Sequence, residues 1–243
     1  MIVLFTDFGL EGPYVGQMKS VLQAHAPAVP VIDLFADAPS LEPQLAAYLL
    51  AAYANEFAPG TVFLCVVDPG VGGDRAPVIA KADGRRFVGP GNGLFEIVLR
   101  RARRRSLRRI DWRPERLSAS FHGRDLFAPV AAMLATGGDV PATALPFDGG
   151  RPGADWPDEL ARIVYVDRYG NAMTGWRASA TTARTRLRLG DLVIPRARTF
   201  SDVQPGEAFW YENANGLVEI AVNRGRACER LGLGVGSIVA ITP

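Results

Sequence analysis

Asp68 and Arg75 stand at the two ends of the segment Pro69-Gly70-Val71-Gly72-Gly73-Asp74, so a carboxylate and a guanidinium bracket a glycine-rich loop. Glycine accepts positive φ and lets backbone approach a ligand closely, which allows such a loop to fold back and bring its charged ends together over a small molecule. The alternative is an ordinary turn carrying a surface ion pair of little energetic weight. Asp7, in Thr6-Asp7-Phe8-Gly9, is a second carboxylate. It suits either the diol of a ribose or the cap of a helix that begins near Tyr14. The chain has two histidines. His25 falls at the end of a predicted helix, where a cap or surface role fits it. His122, in Phe121-His122-Gly123-Arg124-Asp125, is then the one side chain whose ordinary pKa suits a base between about pH 5 and 8, unless its role is structural. Two further polar loops follow, Asp167-Arg168-Tyr169-Gly170-Asn171 and Tyr211-Glu212-Asn213-Ala214-Asn215-Gly216. Each reads as a turn, since Asn and Gly favour positive φ, or as a recognition loop in which an aromatic ring stacks on a flat base.

These residues need elements to hold them. Residues 2–5 and 61–67 are continuous apolar, β-branched runs of strand length, as expected for strands covered on both faces of a parallel sheet. Asp7 and Asp68 follow them, at the carboxyl edge where open α/β sheets bind ligands. Helical spacing over 15–26 and 42–53, with a strand at 29–35 between them, gives the order β, α, β, α, β and hence right-handed crossovers. A hairpin is expected from 78–82 and 86–88, and a helix over 94–104. The loop Gly89-Pro90-Gly91-Asn92-Gly93 before that helix lacks the lysine of a phosphate-binding loop and the spacing of a dinucleotide fingerprint. Another helix is expected over 126–134. Residues 146–159, rich in Gly, Pro and Asp, read as a linker. Beyond it short alternating runs suggest an antiparallel barrel or sandwich. The expected fold is therefore α/β, with an N-terminal domain over 1–145 built on a mostly parallel sheet flanked by helices. A small C-terminal antiparallel β-barrel over 160–243 completes it.

Composition narrows the function classes. At 243 residues and 48% hydrophobic content the chain can bury a substantial core. It opens on a strand-like run with no charged leader, and no charge-free apolar stretch reaches the ~18 residues of a membrane span, so a soluble cytoplasmic protein without membrane contact is expected. Cys65 and Cys228 lie far apart and give neither a disulfide framework nor a metal-ligand spacing, and a chain with two histidines argues against a histidine-based metal site. The arginine-rich stretch 99–109 carries no interleaved aromatic and continues a predicted helix, which suits a solvated face better than a nucleic-acid surface.

Taken together, TDFG at 6–9 with YVG at 14–16, VVDPGVGGDR at 66–75, PGNGLF at 90–95, FHGRD at 121–125, DRYGN at 167–171, and ENANG at 212–216 with AVN at 221–223 cover nearly the whole chain. In this order they resemble the S-adenosylmethionine hydrolases, also called S-adenosyl-L-methionine hydroxide adenosyltransferases, relatives of the fluorinating and chlorinating enzymes that use the same substrate. The resemblance implies hydrolysis of S-adenosyl-L-methionine to adenosine and L-methionine without a cofactor. It places a hydrolytic trio on Asp68, Arg75 and His122, which the halogenating relatives lack. Asp7 matches the residue that holds the ribose hydroxyls, Tyr169 and Asn171 match positions near adenine, and Asp167 one near the methionine end. Phe8, Tyr14, Asn92, Asn213 and Asn223 fall in the same motifs as further substrate contacts. The resemblance also implies homotrimers whose sites lie between the N-domain of one subunit and the C-domain of its neighbour. Gly12, Gly91 and Ala214 depart from the family pattern, the first two replacing acidic residues and the third a serine. The competing readings are a halogenase and a non-catalytic adenosyl-nucleoside sensor.

Overall fold

A computed structural model of the chain describes residues 1–148 and 150–242; Gly149 of the expected linker and Pro243 of the expected barrel lie outside them. The chain divides into two compact units, Met1–Trp156 and Pro157–Pro243.

The first unit contains strands β1 (Ile2–Thr6), β2 (Val31–Phe35), β3 (Val62–Val66), β4 (Pro77–Ala82), β5 (Arg85–Pro90), β6 (Arg105–Ile110) and β7 (Ala142–Leu145), with helices α1 (Tyr14–His25), α2 (Pro43–Tyr53), α3 (Glu96–Arg101) and α4 (Ala128–Ala135). They form one seven-stranded sheet in the order β2-β1-β3-β5-β4-β6-β7. Pairing is parallel from β2 through β5 and antiparallel from β5 through β7. β1 and β3 are buried along their whole length, which is why both read as unbroken apolar runs. They pair in register from Ile2↔Val62 to Thr6↔Val66, so their carboxyl ends finish side by side and deliver Asp7 and Asp68 to one edge. On one face Met18 and Leu22 of α1 pack with Val130, Ala131 and Ala132 of α4 over Ile2, Leu4, Leu64 and Val66 of the strands.

Two expectations need correction. The helix expected over 94–104 ends at Arg101, and the arginine-rich stretch that was to continue it is strand β6. Ala102 already has an extended backbone, and Asp83 accepts hydrogen bonds from the Arg103 and Arg104 N–H groups at 3.1 and 2.9 Å. The edge of β4 then takes Arg105–Ile110 as its partner, and sheet pairing overrides the helical propensity of arginine. The helix expected over 126–134 is preceded by a π-helical turn, Gly123–Phe127, before α4 proper. Residues 150–156 fold onto α3: Arg151 donates to both oxygens of Glu96, and Arg100 donates to the carbonyls of Gly153 and Trp156.

The second unit contains β8 (Leu160–Val166), β9 (Ala172–Arg177), β10 (Arg186–Leu189), β11 (Leu192–Ile194), β12 (Ala208–Glu212), β13 (Leu217–Val222), the short helix α5 (Ala227–Arg230) and β14 (Ala240–Thr242). In place of a continuous barrel, the described residues make two antiparallel sheets, β12-β13-β9-β8 and β11-β10-β14. Isolated bridges link their edges, Arg162↔Ile238 on one side and Arg196↔Trp210 on the other. Both sheets share one core, built on Ile163, Leu187, Ile194, Trp210, Ile220 and Ile241. β9 and β13 each pair on both sides, and the first four residues of β9 and all six of β13 are buried.

Candidate active site

Asp68 lies two residues beyond β3, its side chain only 4% exposed. The loop after it is closed by main-chain bonds from Val71 N to the Asp68 carbonyl and from Gly73 N to that of Gly70. Gly72 has φ +80°, and a Cβ there would stand 2.6 Å from the Ala119 carbonyl oxygen, so this turn requires glycine. The chain thereby returns Arg75 to Asp68. Arg75 Nε donates to Asp68 Oδ1 at 2.8 Å and Nη2 donates to Oδ2, a bidentate fork. Nη2 also lies 2.9 Å from His122 Nδ1. His122 immediately precedes the π-helical turn, which brings Phe127 round beneath both groups. The Arg75 guanidinium sits 5.3 Å from the Phe127 ring centre, and the imidazole meets the same ring edge-on at 6.4 Å. Burial, and then the positive charge of Arg75, hold the His122 pKa below its ordinary value. The trio proposed from sequence is thus assembled as one hydrogen-bonded chain.

Asp7 and Asp68 border a shared cavity of about 290 Å³. Asp7 Oδ2 accepts the Leu41 N–H at 3.0 Å, and Leu41 holds that position in a left-handed backbone conformation, φ 59°, unusual for a non-glycine residue. Burial raises the Asp7 pKa, and the charge of Asp68 adds to the rise. Phe8, Tyr14 and Phe121 complete the wall as three mutually contacting rings, with centres 5.5 Å (Phe8–Tyr14), 5.8 Å (Phe8–Phe121) and 5.4 Å (Tyr14–Phe121) apart. Phe8 and Tyr14 therefore join Asp7 and Asp68, as expected. Phe121 and Leu41 were not singled out beforehand. Phe121 had a signal in the aromatic residue before His122, whereas Leu41 had none, because its contribution is a backbone N–H.

Asn92 behaves differently. Its amide donates to the Val67 carbonyl at 2.9 Å and accepts Leu94 N–H at 3.3 Å, so it ties the 90–94 loop to the end of β3. At Gly91 a Cβ would stand 2.7 Å from the Ala76 carbonyl, so a side chain there would require the local backbone to shift. Gly12 has φ +100° and open space around it.

The remaining residues sit in the second unit. Asp167 accepts the Asn171 main-chain N–H at 2.8 Å and its side-chain amide at 3.0 Å, and Tyr169 stands at the tip of that turn, 77% exposed. Asn213 is buried; its amide nitrogen donates to Glu219 Oε2 at 2.7 Å, and its oxygen accepts the Asn215 and Leu217 N–H groups at 3.0 Å. Glu219 also accepts the Tyr211 hydroxyl at 2.5 Å; burial raises its pKa, and the charge of Asp167 adds to the rise. Asn223 donates to the Val203 carbonyl at 2.7 Å and fastens a different loop. Asn213 and Asn223 thus spend these amide groups on their own unit. Glu219 was missed, although it interrupts the otherwise apolar run 217–222. Among the described residues no group of three or more His, Cys, Asp or Glu could hold a metal ion, and no helix is long and apolar enough to cross a membrane.

A charged, partly buried cluster at the carboxyl edge of parallel strands, in a chain whose second unit is antiparallel β, defines a two-unit α/β plus β protein. The chain belongs to the SAM hydroxide adenosyltransferase family, matching its N-terminal domain over residues 2–144 and its C-terminal domain over residues 161–240. It is 38% identical to the (R)-S-adenosyl-L-methionine hydrolase of Thermus thermophilus, across 99% of this chain and 98% of that one. The enzyme of that name from Salinispora tropica is 36% identical, with 98% and 95% covered. Among solved structures, an uncharacterized conserved protein from Thermotoga maritima matches with a TM-score of 0.84 at 31% identity and full coverage of both chains.

Proposed function

We propose that the protein hydrolyses S-adenosyl-L-methionine to adenosine and L-methionine, and the relatives' names direct the reading to the (R)-sulfonium epimer. The observation that carries it is the 290 Å³ cavity in which two carboxylates and three aromatic rings surround the space beside the Asp68–Arg75–His122 cluster. A cationic adenosyl sulfonium is favoured there by carboxylate charge and by ring faces. Asp7 takes the ribose hydroxyls. Asp68, with Arg75 and His122, holds one water in line with the C5′–S bond, and such positioning contributes up to about 7–11 kcal/mol. The leaving group is a neutral thioether and needs no acid. Uniting a hydroxide-like nucleophile with a sulfonium cancels charge, which a dry cavity favours over bulk water. The reaction requires nothing beyond water, so no cofactor is invoked.

A carboxylate at the nucleophile position disfavours a halide, which argues against halogenation. Incubation with each sulfonium epimer in ¹⁸O-labelled water, followed by chromatography and mass spectrometry, should give adenosine carrying the label on its 5′ oxygen, plus methionine. Binding without adenosine would make the protein a sensor, and a 5′-halo product in chloride or fluoride would make it a halogenase.

Asp167, Tyr169 and Asn171 are read as the adenine and methionine contacts, with support from the family resemblance alone. Because they belong to the second unit and the trio to the first, we further propose a cytoplasmic homotrimer in which neighbouring subunits share each site. Under subunit exchange, His122→Ala and Asn171→Ala proteins should recover activity when mixed; no recovery despite proven exchange would sink the sharing. The edge bridges Arg162↔Ile238 and Arg196↔Trp210 support reading the second unit's sheets as one interrupted barrel.

A further inference from the structure

Arginine offers five N–H donors and no acceptor. At the 2.9 Å contact between Arg75 Nη2 and His122 Nδ1, the imidazole nitrogen must therefore be the acceptor. An imidazolium has no lone pair there and would set two cations against each other. We infer that His122 is a neutral imidazole protonated at Nε2 that locks the Arg75 guanidinium onto Asp68, and that the water's proton goes to the Asp68 carboxylate instead of the imidazole. The inference rests on the hydrolytic reading above.

Three observations carry it. The two hydrogens of Nη2 meet two acceptors, Asp68 Oδ2 and His122 Nδ1, so the imidazole fixes the rotation of the fork. The guanidinium is seated on Phe127, which the π-helical turn next to His122 positions, so histidine and ring act on the same group. Finally, Asp68 walls the cavity, whereas the imidazole's Nδ1 contact is with Arg75 and its ring meets Phe127. The carboxylate faces the reacting space and the imidazole works through Arg75. A carboxylate has about four lone-pair positions, of which Arg75 takes two, so Asp68 keeps acceptor capacity for a water. In the step itself, the water oxygen bonds to C5′ and the C5′–S electron pair leaves with sulfur. One water proton stays in the new hydroxyl, and the other passes to Asp68 and then to solvent.

His122 is faced by Arg75, Asp68, Arg113 and Asp125. Protonating it would place a third cation beside Arg75 and Arg113, so turnover should fall at low pH whether the imidazole is an acceptor or a base. A substitution separates the two roles. In His122→Asn the amide oxygen can stand where Nδ1 stood and accept from Arg75, but it cannot take a proton from water. Turnover of this variant should stay within about tenfold of wild type and lose the imidazole limb of the pH profile, while His122→Ala should fall by about 100-fold or more. A folded His122→Asn protein as inactive as His122→Ala would overturn the inference. The tautomer is read independently of activity by ¹⁵N NMR of histidine-labelled protein, in which His25→Gln assigns the two rings. An unprotonated Nδ1 and protonated Nε2 are expected at His122, and a protonated Nδ1 overturns the proposal. If wild type makes no adenosine, the hydrolytic reading fails while the NMR result still decides the tautomer.

Discussion

Asp68 and Glu96 are both buried carboxylates in the first unit, 4% and 1% exposed at the side chain, and both are held by arginine. They differ in what remains free. Glu96 receives four hydrogen bonds, two from Arg100 and two from Arg151, and Arg100 goes on to bind the carbonyls of Gly153 and Trp156. Three of these bonds end on Oε1 and one on Oε2, so most of the carboxylate's acceptor capacity is spent on fastening residues 150–156 to α3. Asp68 receives one fork, shared with a neutral histidine, and borders a cavity. A buried ion pair therefore does not mark a site by itself, since removing one partner is costly wherever the pair occurs. Both carboxylates border a cavity, Glu96 one of about 820 Å³ that Arg75 also lines, so the number of hydrogen bonds each already receives, and not open space, distinguishes the two.

The sharpest way to break this comparison is to delete each carboxylate. Asp68→Ala should lower kcat by about 10²- to 10⁴-fold with affinity for the substrate within about tenfold, because it acts on water. Near-normal turnover would remove Asp68 from the chemistry. Glu96→Ala removes the carboxylate from two partly buried guanidiniums that keep their carbonyl partners, and should cost up to about 3 kcal/mol of stability. Calorimetry should show the lowered Tm, while kcat per folded molecule stays at the wild-type value. Loss of turnover without loss of Tm would make Glu96 part of the site.

How far the two clusters could be read beforehand differs for a physical reason. Asp7 and Asp68 were legible because each follows an apolar run, and strand pairing turns that sequence fact into spatial proximity. The fork between Asp68 and Arg75 was legible as a possibility, since the six residues between them include three glycines that let the loop fold back. The Glu96 cluster was not, because its arginines come from positions 100 and 151 and the second lies in a stretch that reads as a linker. Strand β6 was hidden for a similar reason: what makes Arg105–Ile110 a strand is the unpaired edge of β4, not its own composition. Phe127 beneath Arg75 depends on a π-helical turn that no periodicity announces.

Asp7 tests a smaller effect at the same edge. A carboxylate bridging two ribose hydroxyls contributes charge-assisted hydrogen bonds of about 1.5–3 kcal/mol each, so Asp7→Ala should weaken substrate binding by at least about tenfold with kcat little changed. Since burial raises its pKa above the ordinary 3.8, wild-type affinity should begin to fall on acidification sooner than for an exposed aspartate. Calorimetric titration with unchanged affinity in the variant would leave Asp7 as the anchor of Leu41 N–H alone.

The smallest expected effect extends the comparison to the second unit, where Glu219 is held by a hydroxyl and an amide and not by a guanidinium. Without a cation, burial dominates and its pKa lies above the ordinary 4.5. For an acid the sign follows directly: the folded state binds the proton more tightly, so this group's stabilising contribution is full below the unfolded pKa and is lost as pH rises through the folded one. Glu219→Gln removes the titration but sets an amide donor against Asn213 or the Tyr211 hydroxyl, one of which must turn. The net change at neutral pH should be within about 1 kcal/mol, while the decline in stability between mildly acidic and neutral pH becomes shallower than in wild type. Denaturant titrations of both proteins at two pH values measure that difference. Identical pH slopes would mean that Glu219 stays ionised throughout and that its neutral partners serve it as well as arginine serves Asp68.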